Sequence, residues 1–317
     1  MASGHPVLLP PPASLPYDAA MPQEDSPMPH PDPSLSIILP AKDEGSILPA
    51  LLLRIRALYP EAELIVVDDG STDQTAQVAR EAGARVVSHP YSLGNGAAVK
   101  SGARAARGEI LVFLDADGQH PPEEISRLLE PLSDGYTMTI GARDSGSQSS
   151  LLRALANAFY NRLSSWMVGH RIRDLTSGFR AVRADPFRRF LYLLPNGFSY
   201  PTTITMAFFR VGYPVCYIPF HAPARRANQS HLHPMKDGVK FLLIIFRIGI
   251  LYSPLKIFLP ISLSLFLLGL LRYGYTYFTA DLLTNMSVLL WITSVLTFLI
   301  GLVSEQITSL LYRETGS

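Results

Sequence analysis

The chain has 317 residues, and its 27 basic side chains against 26 acidic ones give a formal charge of +1. This near-neutrality argues against a nucleic-acid-binding protein whose affinity comes from a broad basic surface, and the single cysteine, Cys216, excludes a disulfide scaffold and a multi-cysteine metal site. Charged residues make up 17% of the chain and apolar ones 48%. Because a soluble domain carries about 25% charged residues, we expect part of this chain to face a solvent other than water.

The first 34 residues form a proline-rich segment without apolar periodicity. Prolines recur from Pro6 to Pro33, and proline deprives a helix or a central strand of its backbone donors. The segment also lacks the charged start and apolar run of about 7–15 residues that define a secretory signal. It is interpreted as a disordered tail.

From Ser36 onward, short β-branched runs alternate with amphipathic stretches of helical period. Strands that alternate with helices of about 10 residues predict βαβ units and a mainly parallel sheet, so the fold class is α/β. The apolar runs at 64–67 and 110–114 are typical of interior parallel strands. The predicted elements are the strand Ser36–Ala41, a helix at Ile47–Leu58, the strand Glu63–Asp69, a helix at Thr72–Ala82, the strand Arg85–Ser88, a helix at Ala97–Ala106, the strand Glu109–Asp115, a helix at Pro122–Leu132 and the strand Thr137–Ala142.

The remainder of this domain, predicted to extend over residues 35–232, is less regular. Only a helix at Leu151–Met167 and a short strand near Val215–Ile218 are predicted there. The strand is placed just after Pro214, because proline is tolerated at the start of a strand and not inside a central one.

The last part of the chain, residues 253–317, is predicted to hold two membrane-spanning helices. Leu282–Val303 carries no formal charge and Ile248–Leu271 carries only Lys256. A helix of about 20 apolar residues is long enough to cross a bilayer. The aromatic stretch from Arg272 to Phe278 is predicted to connect the spans at a headgroup interface. The alternative is a buried hydrophobic hairpin in a soluble core.

Residues 233–252 are predicted to form an interfacial amphipathic helix. Lys236, Lys240 and Arg247 fall on one helical stripe, where cations can meet lipid phosphates. An ordinary packed helix with a solvated edge is the alternative. Cations gather before the first span and after the second, with only Arg272 between them, so the positive-inside rule predicts that the globular domain and both termini are cytoplasmic.

Acidic or polar residues follow the ends of three predicted strands. Asp115 and Asp117, with Gln119 behind them, leave one apolar strand, Asp68 and Asp69 leave another, and the first strand ends in Lys42-Asp43-Glu44. Ligands of open parallel sheets bind beyond the carboxyl ends of the strands, and oxygen ligands of this kind suit a hard divalent cation. A lone Asp-x-Asp is more often a solvated turn than a metal site, and this is the alternative interpretation. Helix capping by Ser71 or Thr72 explains only part of the second tip. Together the tips predict a nucleotide–metal site.

Two glycine-rich phosphate motifs fail in this sequence. Residues 94–101 nearly match the P-loop, but Val99 occupies the position of its second glycine. The dinucleotide fingerprint fails at the same residue. No Ser-His-Asp order or zinc-ligand spacing is evident, and His231 and His233 are interpreted as ordinary polar contacts.

Three segments carry a resemblance to a known family. Asp68–Asp73, Asp115–Asp117 and Asp174–Arg180 occur in the order and spacing of family 2 glycosyltransferases. The two C-terminal spans resemble the polyprenyl-phosphate branch of that family, which includes dolichyl-phosphate mannose synthase and undecaprenyl-phosphate glucosyltransferases. The resemblance covers residues 36–313 and weakens after Arg180. It implies a GT-A-type catalytic domain followed by an interfacial helix and a two-helix transmembrane hairpin.

The resemblance also implies roles for individual residues. It implies Mg²⁺ or Mn²⁺ as the cofactor, held by Asp115, Asp117 and Gln119, and Asp117, Arg143 and Arg153 as the catalytic residues. The nucleotide-sugar is expected at Pro40, Glu44, Asp68, Asp69, Asp115 and Asp174. The acceptor phosphate is expected at Arg143, Arg153, Asn157, Arg225 and Ser230. Lys42-Asp43, Asn157 and His231 depart from the usual family residues, which bears on base identity and phosphate clamping.

The activity implied is an inverting transfer of one sugar from a nucleotide-sugar to a polyprenyl phosphate, undecaprenyl or dolichyl, by a membrane enzyme of glucosyl- or mannosyltransferase type. Nucleic acid is not an expected partner, and a homo-oligomer is left open. Two alternatives remain. The first is a same-fold transferase that uses diacylglycerol, ceramide or a polysaccharide, although the Gln-x-x-Arg-Trp signature of polymer synthases is absent after residue 180. The second is a non-catalytic membrane scaffold that binds a nucleotide-sugar.

Overall fold

The computed structural model describes residues 34–143, 151–197, 200–220, 246, 249–250, 252–280 and 282–313. The predicted tail and most of the predicted interfacial helix at 233–252 lie outside these residues. The strands are β1 (Leu35–Ala41), β2 (Glu63–Asp68), β3 (Arg85–Ser88), β4 (Ile110–Phe113), β5 (Met138–Arg143), β6 (Arg180–Arg183) and β7 (Val215–Phe220). The helices are α1 (Leu48–Leu58), α2 (Thr75–Glu81), α3 (Asn95–Ala105), α4 (Ile125–Ser133), α5 (Leu151–Val168), α6 (Ala184–Arg189), α7 (Tyr200–Val211), α8 (Pro254–Ala280) and α9 (Asn285–Arg313).

The seven strands form one sheet in the order β3-β2-β1-β4-β6-β5-β7. All neighbouring pairs are parallel except the two that involve β6, which runs antiparallel between β4 and β5. The carboxyl ends of the six parallel strands therefore lie at one edge of the sheet. The amino end of β6 lies at the same edge, which brings the segment before Arg180 to the ends of β4 and β5.

Side chains of each interior strand alternate between two apolar layers. In β1, Ile38 faces the layer that contains α3, α6 and α7, while Ile37 and Leu39 face the layer that contains α1 and α4. β2 alternates in the same way, with Ile65 and Val67 on the first side. This burial on both faces explains why the strands are continuous apolar runs, and the predicted α/β class with a mainly parallel sheet is confirmed.

Two features of the domain differ from the prediction. β6, α6 and α7 were not predicted, because their sequences are short or lack a clear period; β6 is a four-residue strand whose first residue is a buried arginine. Helix α2 begins at Thr75 rather than Thr72, because the Asp73 carboxylate accepts the Thr75 N–H at 2.9 Å in the turn that precedes the helix. The N-cap is Gln74, without a side-chain capping bond, and not the predicted Ser71 or Thr72.

The two C-terminal helices form an antiparallel hairpin of apolar composition. Pro254–Thr279 and Asn285–Leu310 are each 26 residues long and sufficiently apolar to cross a membrane, and a helix of that length extends about 39 Å. Ser262 and Ser294 exchange hydrogen bonds between Oγ and backbone carbonyl at 2.9 and 2.8 Å. The aromatic stretch 272–278 belongs to α8, so the prediction of a separate aromatic connection was wrong: the helix continues because no proline or glycine-rich turn interrupts it.

The hairpin is attached to the globular domain at the end where α8 begins and α9 ends. Arg210 of α7 forms an ion pair with Glu305 of α9 at 2.9 Å, and the same carboxylate accepts the Leu255 N–H at 3.3 Å. The Tyr252 hydroxyl, which is buried, donates to the Thr203 carbonyl at 3.2 Å, and Lys256 Nζ donates to the Met167 carbonyl at 2.8 Å. The first turn of α8 is thus bonded to α5 and α9, and Tyr252 just before it is bonded to α7.

Candidate active site

Polar residues converge at the edge of the sheet where the parallel strands end. The ends of β1 and β2 lie side by side, with Ala41 paired to Asp68. β4 ends at Phe113, one strand away, and its loop carries Asp115 and Asp117. Because β6 is antiparallel, the loop that precedes it carries Asp174 to the same edge. The topology therefore gathers the three acidic segments that the sequence singled out.

The loops after β1 and β2 are bonded to each other. Asp43, whose φ is +55°, accepts the Thr72 N–H at 2.7 Å, and Asp73 accepts the Gly45 N–H at 3.0 Å. The Glu44 N–H donates to the Thr75 hydroxyl at 2.9 Å. These contacts fix the segment from Pro40 to Glu44 beside the segment that contains Asp68.

Asp69 lies at the centre of a buried hydrogen-bond network. Its Oδ1 accepts from His89 Nδ1 and the Leu93 N–H at 2.7 and 2.8 Å, and its Oδ2 accepts from the Ser92 hydroxyl and the Gly94 N–H at 2.8 and 2.9 Å. Burial opposes ionisation of this carboxyl, but the four donors outweigh it and lower its pKa. The carboxylate thus holds the segment 89–94 in place, and its assignment to the nucleotide stays a prediction. Asp68 is also buried and accepts the Ser71 N–H at 3.0 Å.

The loop after β4 presents its carboxylates differently. Asp117 Oδ1 accepts the Gln119 N–H at 3.1 Å across Gly118, which has a φ of +74°. The side chain of Asp115 is 42% exposed, whereas that of Asp69 is 7% exposed. Within the described residues, the nearest charged or polar partner recorded for the Asp115 carboxylate is His120, whose Nε2 lies 3.8 Å from Oδ2. This loop therefore leaves carboxylate oxygens accessible to a ligand.

His120 and Gly178 lie behind Asp115. The imidazole is buried, stacks on Phe179 with a centroid distance of 5.0 Å, and accepts the Asp115 N–H at Nδ1. Burial lowers its pKa, although the neighbouring carboxylates oppose this. The neutral ring therefore carries its proton on Nε2 and directs it toward Asp115. A Cβ at Gly178 would lie 3.2 Å from both Asp115 carboxylate oxygens, so glycine there leaves room for this side chain.

Arg143, the last residue of β5, is paired with Asp174. Its Nε and Nη2 donate to the two Asp174 oxygens at 2.9 and 3.1 Å, and Nη2 also donates to the Thr176 hydroxyl at 2.6 Å. Burial disfavours the Asp174 carboxylate, but Arg143 and the Thr176 N–H outweigh it and lower the pKa of Asp174. Among the described residues Nη1 makes no hydrogen bond. The bidentate pair thus fixes the guanidinium and leaves one nitrogen for an anion.

Arg180 is a fully buried cation near the same edge. Nη2 donates to the Ser177 carbonyl and Nη1 to the Pro201 carbonyl at 3.4 Å, while Tyr200 lies under the guanidinium with its centroid at 5.6 Å. Burial lowers the pKa of Arg180 and is opposed by charges that include Asp174 and Asp115. The cation thus adds positive potential beneath the acidic cluster and holds the carbonyls of the loop before β6.

The residues of the β4 loop fit a divalent cation in donor chemistry. Within the described part of the chain, no three His, Cys, Asp or Glu side chains converge on one point. Mg²⁺ in phosphate-transfer sites nevertheless takes only one or two carboxylates and completes its octahedron with waters and substrate phosphates. The carboxylates of Asp115 and Asp117 and the amide of Gln119 meet that requirement.

The predicted site residues divide into three groups. Asp115, Asp117, Arg143 and Asp174 lie together, since all four charges act on His120. Pro40, Glu44, Asp68 and Asp69 lie at the neighbouring tips of β1 and β2. The backbone of α5 includes Arg153 and Asn157, but their side chains lie outside the described part, as do Arg225 and Ser230. Five residues of the site had no predicted role: His89, His120, Thr176, Gly178 and Arg180. Of these, His120 follows the predicted Asp115–Gln119 segment, and Thr176, Gly178 and Arg180 belong to the Asp174–Arg180 segment that carried the family resemblance.

The chain matches two family descriptions. Residues 36–191 match Glycosyl transferase family 2, and residues 253–310 match the GtrB C-terminal hairpin. The first match covers β1 through α6 and all the acidic tips, and the second covers α8 and nearly all of α9. The chain therefore contains a family 2 glycosyltransferase domain followed by a GtrB-type C-terminal hairpin, and the hairpin indicates a membrane-anchored protein.

Similar proteins are glycosyltransferases, and two of the three compared are named for undecaprenyl phosphate. The chain is 34% identical over 159 residues to the undecaprenyl-phosphate 4-deoxy-4-formamido-L-arabinose transferase of Photorhabdus laumondii, covering 47% of this chain and 49% of that protein. The transferase of the same name from Pseudomonas fluorescens is 34% identical over 55% of this chain and 57% of its own length. Glycosyltransferase AglJ of Haloferax volcanii is 28% identical over 73% of this chain and 77% of its own length. The match thus spans only about half the length of the arabinose transferases.

Solved structures share the fold. Glucosyl-3-phosphoglycerate synthase from Mycobacterium tuberculosis, crystallised with Mn²⁺, UDP and glucosyl-3-phosphoglycerate, superposes with a TM-score of 0.54 at 25% identity, covering 68% of this chain and 80% of that one. A second structure of the same enzyme, with Mn²⁺, UDP-glucose and phosphoglyceric acid, gives a TM-score of 0.56 at 22% identity, covering 69% of this chain and 80% of that one. The GT-A-type architecture is therefore confirmed.

Proposed function

We propose that the protein transfers a single sugar from a nucleotide-sugar to a polyprenyl phosphate, with inversion at the anomeric carbon and with a divalent cation. The observation that carries this proposal is the proximity of the Asp115 and Asp117 carboxylates to the Arg143 guanidinium, whose Nη1 makes no hydrogen bond within the described residues, on a chain with a GtrB-type hairpin. The names of the similar transferases add undecaprenyl phosphate as an acceptor of that type.

Different parts of the site would bind the nucleotide-sugar donor and the lipid-phosphate acceptor. Asp115 and Asp117, with Gln119, would hold Mg²⁺ or Mn²⁺, which when bound neutralises the charge of the departing nucleoside diphosphate. Pro40, Glu44, Asp68 and Asp69 would hold or position the nucleoside end of the donor, and Asp174 positions Arg143. The donor would thus lie across the ends of β1, β2 and β4.

The acceptor side needs positioning more than proton transfer. A lipid phosphate is already anionic near neutral pH, so its oxygen can attack the anomeric carbon without a general base. Arginine forks match phosphate oxygens geometrically, and Arg143 and Arg153, with Asn157, Arg225 and Ser230, would hold the acceptor. Attack from the face opposite the nucleotide gives a β-linked product from an α-linked donor.

The hairpin would keep the catalytic domain at the cytoplasmic face of the membrane, where the lipid phosphate and the soluble donor meet. Restricting both reactants to one surface lowers the entropic cost of the encounter. The prevalence of cations on the domain side of the hairpin supports this orientation, with both termini cytoplasmic.

The test is transfer by the purified full-length chain in detergent. The protein is incubated with Mn²⁺, undecaprenyl phosphate and a panel of labelled donors that includes UDP-glucose, GDP-mannose and the nucleotide-linked 4-deoxy-4-formamido-L-arabinose. We expect one donor to give a monoglycosylated lipid phosphate, identified by mass spectrometry, and EDTA to abolish its formation.

Parallel reactions replace undecaprenyl phosphate with diacylglycerol or ceramide. Transfer to one of these lipids and not to the lipid phosphate would assign a different acceptor class. Donor binding without transfer or hydrolysis in every reaction would identify a scaffold instead of an enzyme.

A further inference from the structure

A groove of about 700 Å³ lies along the second half of α5. We name it the α5 groove; the residues that define it here are Phe159, Arg162, Leu163, Trp166, His170 and Arg171. Phe159 and Trp166 are 56% and 53% exposed and line the same groove. Exposed apolar side chains that adjoin one another, unlike single ones, mark interaction surfaces.

The α5 groove adjoins the membrane hairpin. Lys256, the third residue of α8, donates from Nζ to the Met167 carbonyl at 2.8 Å and lies 3.4 Å from the Trp166 carbonyl. Because the candidate membrane span begins at Pro254, we place that turn at the level where a bilayer would meet water. The backbone of Trp166 is held at that level by the same contact.

The charges of the groove match an anionic lipid surface. Its lining contains two arginines and a histidine and no carboxylate. Among the described residues, neither Arg162 nor Arg171 forms an ion pair. Exposed tryptophan next to arginine is the composition found where proteins meet lipid headgroups, with the ring at the interface and the cation at phosphate.

The groove is separate from the acceptor residues proposed above. At about 100° per residue, the positions of Phe159 and Trp166 lie roughly 150° around α5 from those of Arg153 and Asn157. One side of the helix can therefore serve the acceptor phosphate while the other contacts a different partner.

We propose that the α5 groove is a second membrane contact, in which Phe159 and Trp166 insert at the headgroup level of the bilayer and Arg162 and Arg171 bind the phosphates of anionic phospholipids. The contact would add to the hairpin and fix the tilt of the catalytic domain over the membrane. It depends on the membrane anchoring and on none of the proposed catalytic roles, so its failure would leave the proposed reaction untouched.

Fluorescence of Trp166 tests the proposal directly. The chain has two tryptophans, and Trp291→Phe leaves Trp166 as the only one. The full-length variant is reconstituted in vesicles of phosphatidylcholine and phosphatidylglycerol that carry a shallow quencher on the acyl chains. We expect quenching by the lipid label, protection from acrylamide, and a blue shift relative to an exposed tryptophan.

The matched control is Leu53→Trp in a chain that also carries Trp166→Phe and Trp291→Phe. Leu53 is 66% exposed on α1, which packs on the opposite face of the sheet. We expect this tryptophan to be quenched by acrylamide and not by the lipid label. Arg162→Gln with Arg171→Gln should weaken the protection of Trp166 that phosphatidylglycerol confers, while lysine at both positions should retain it.

Three results would overturn the proposal. In the first, Trp166 in vesicles is as accessible to acrylamide as the control tryptophan. In the second, Trp166 is protected only after undecaprenyl phosphate is added, which would make the groove a site for the acceptor chain. In the third, the protection of Trp166 rises with the protein-to-lipid ratio, which would make the partner a second copy of the chain.

Discussion

The tips of β2 and β4 carry the same residue type and use it in opposite ways. After β2, Asp69 accepts four hydrogen bonds and its side chain is 7% exposed. After β4, the Asp115 side chain is 42% exposed. One aspartate builds the site and the other remains accessible to a ligand, so the availability of its oxygens decides what each one does.

The Asp174 carboxylate is an intermediate case. Both of its oxygens are bonded to Arg143, and one also accepts from Thr176. Asp174 orients the Arg143 guanidinium, so it acts on a ligand through that arginine. The comparison therefore predicts different kinds of damage when each carboxylate is replaced.

The largest expected effect is the loss of transfer on replacing Asp117 by asparagine. The substitution removes a negative charge from the loop that is proposed to hold the cation, and removing one preorganised electrostatic group from an active site costs about 10²–10³-fold in turnover. We expect transfer from the nucleotide-sugar to fall by at least about 100-fold. The measurement is product formation by purified protein at saturating Mn²⁺ and both substrates.

The folded state is the control for this variant. The thermal unfolding midpoint of Asp117→Asn in detergent should stay close to that of the wild type, because asparagine keeps a side-chain oxygen that can accept the Gln119 N–H. Near-normal turnover by a folded variant would remove Asp117 from the metal site.

Asp69→Asn should damage stability instead. Each carboxylate oxygen accepts one backbone N–H, from Leu93 or from Gly94, so the new amide NH₂ meets an N–H donor in either orientation. A buried donor left unsatisfied costs about 1–3 kcal/mol, and we expect a loss of about 2 kcal/mol in the free energy of unfolding. Denaturant titration checks this, with Asp117→Asn as the matched substitution. Equal stability of the two variants would contradict the difference drawn between the two tips.

The sequence predicted the acidic strand ends but not that Asp69 is structural while Asp115 remains accessible to a ligand. Apolar runs such as 64–67 identify interior strands, and a parallel sheet brings their ends together, so the edge that holds the site follows from the pattern. The donors to Asp69 lie 20 to 25 residues further along the chain, and no periodicity shows that His89 and Gly94 return to it. Likewise, β6 is short and begins with Arg180, a residue type that predicts an exposed loop. Arg180 is buried in the fold because backbone carbonyls and the Tyr200 ring contact its guanidinium.

Arg143→Lys should have a smaller effect on activity than Asp117→Asn. Lysine keeps the charge but cannot make the two-point contact with Asp174 or leave an oriented nitrogen for the acceptor. We expect transfer to fall by about tenfold, equivalent to about 1.4 kcal/mol, with the requirement for lipid phosphate raised more than that for the donor. Arg54→Lys is the matched control, since Arg54 pairs with Glu123 on the surface with both side chains more than half exposed. An equal rise in both requirements would remove Arg143 from the acceptor site.

The smallest expected effect is on the pH dependence of stability. The folded-state pKa values of Asp69 and Asp174 lie below the ordinary range, in each case because hydrogen-bond donors outweigh burial. A depressed folded pKa stabilises the protein fully above the unfolded value, about 3.9 for aspartate, and this contribution is lost as the pH falls through the folded pKa. The wild type should therefore lose stability below about pH 4, and Asp69→Asn should show a shallower decline because one of the carboxyl groups with a lowered pKa is gone. Unfolding midpoints in detergent from neutral pH to about pH 3 provide the measurement. If the stability of the wild type and of Asp69→Asn declined in parallel, the hydrogen bonds to Asp69 would stabilise its carboxylate no more than water does in the unfolded chain. The structural role that distinguishes the β2 tip from the β4 tip would then be contradicted.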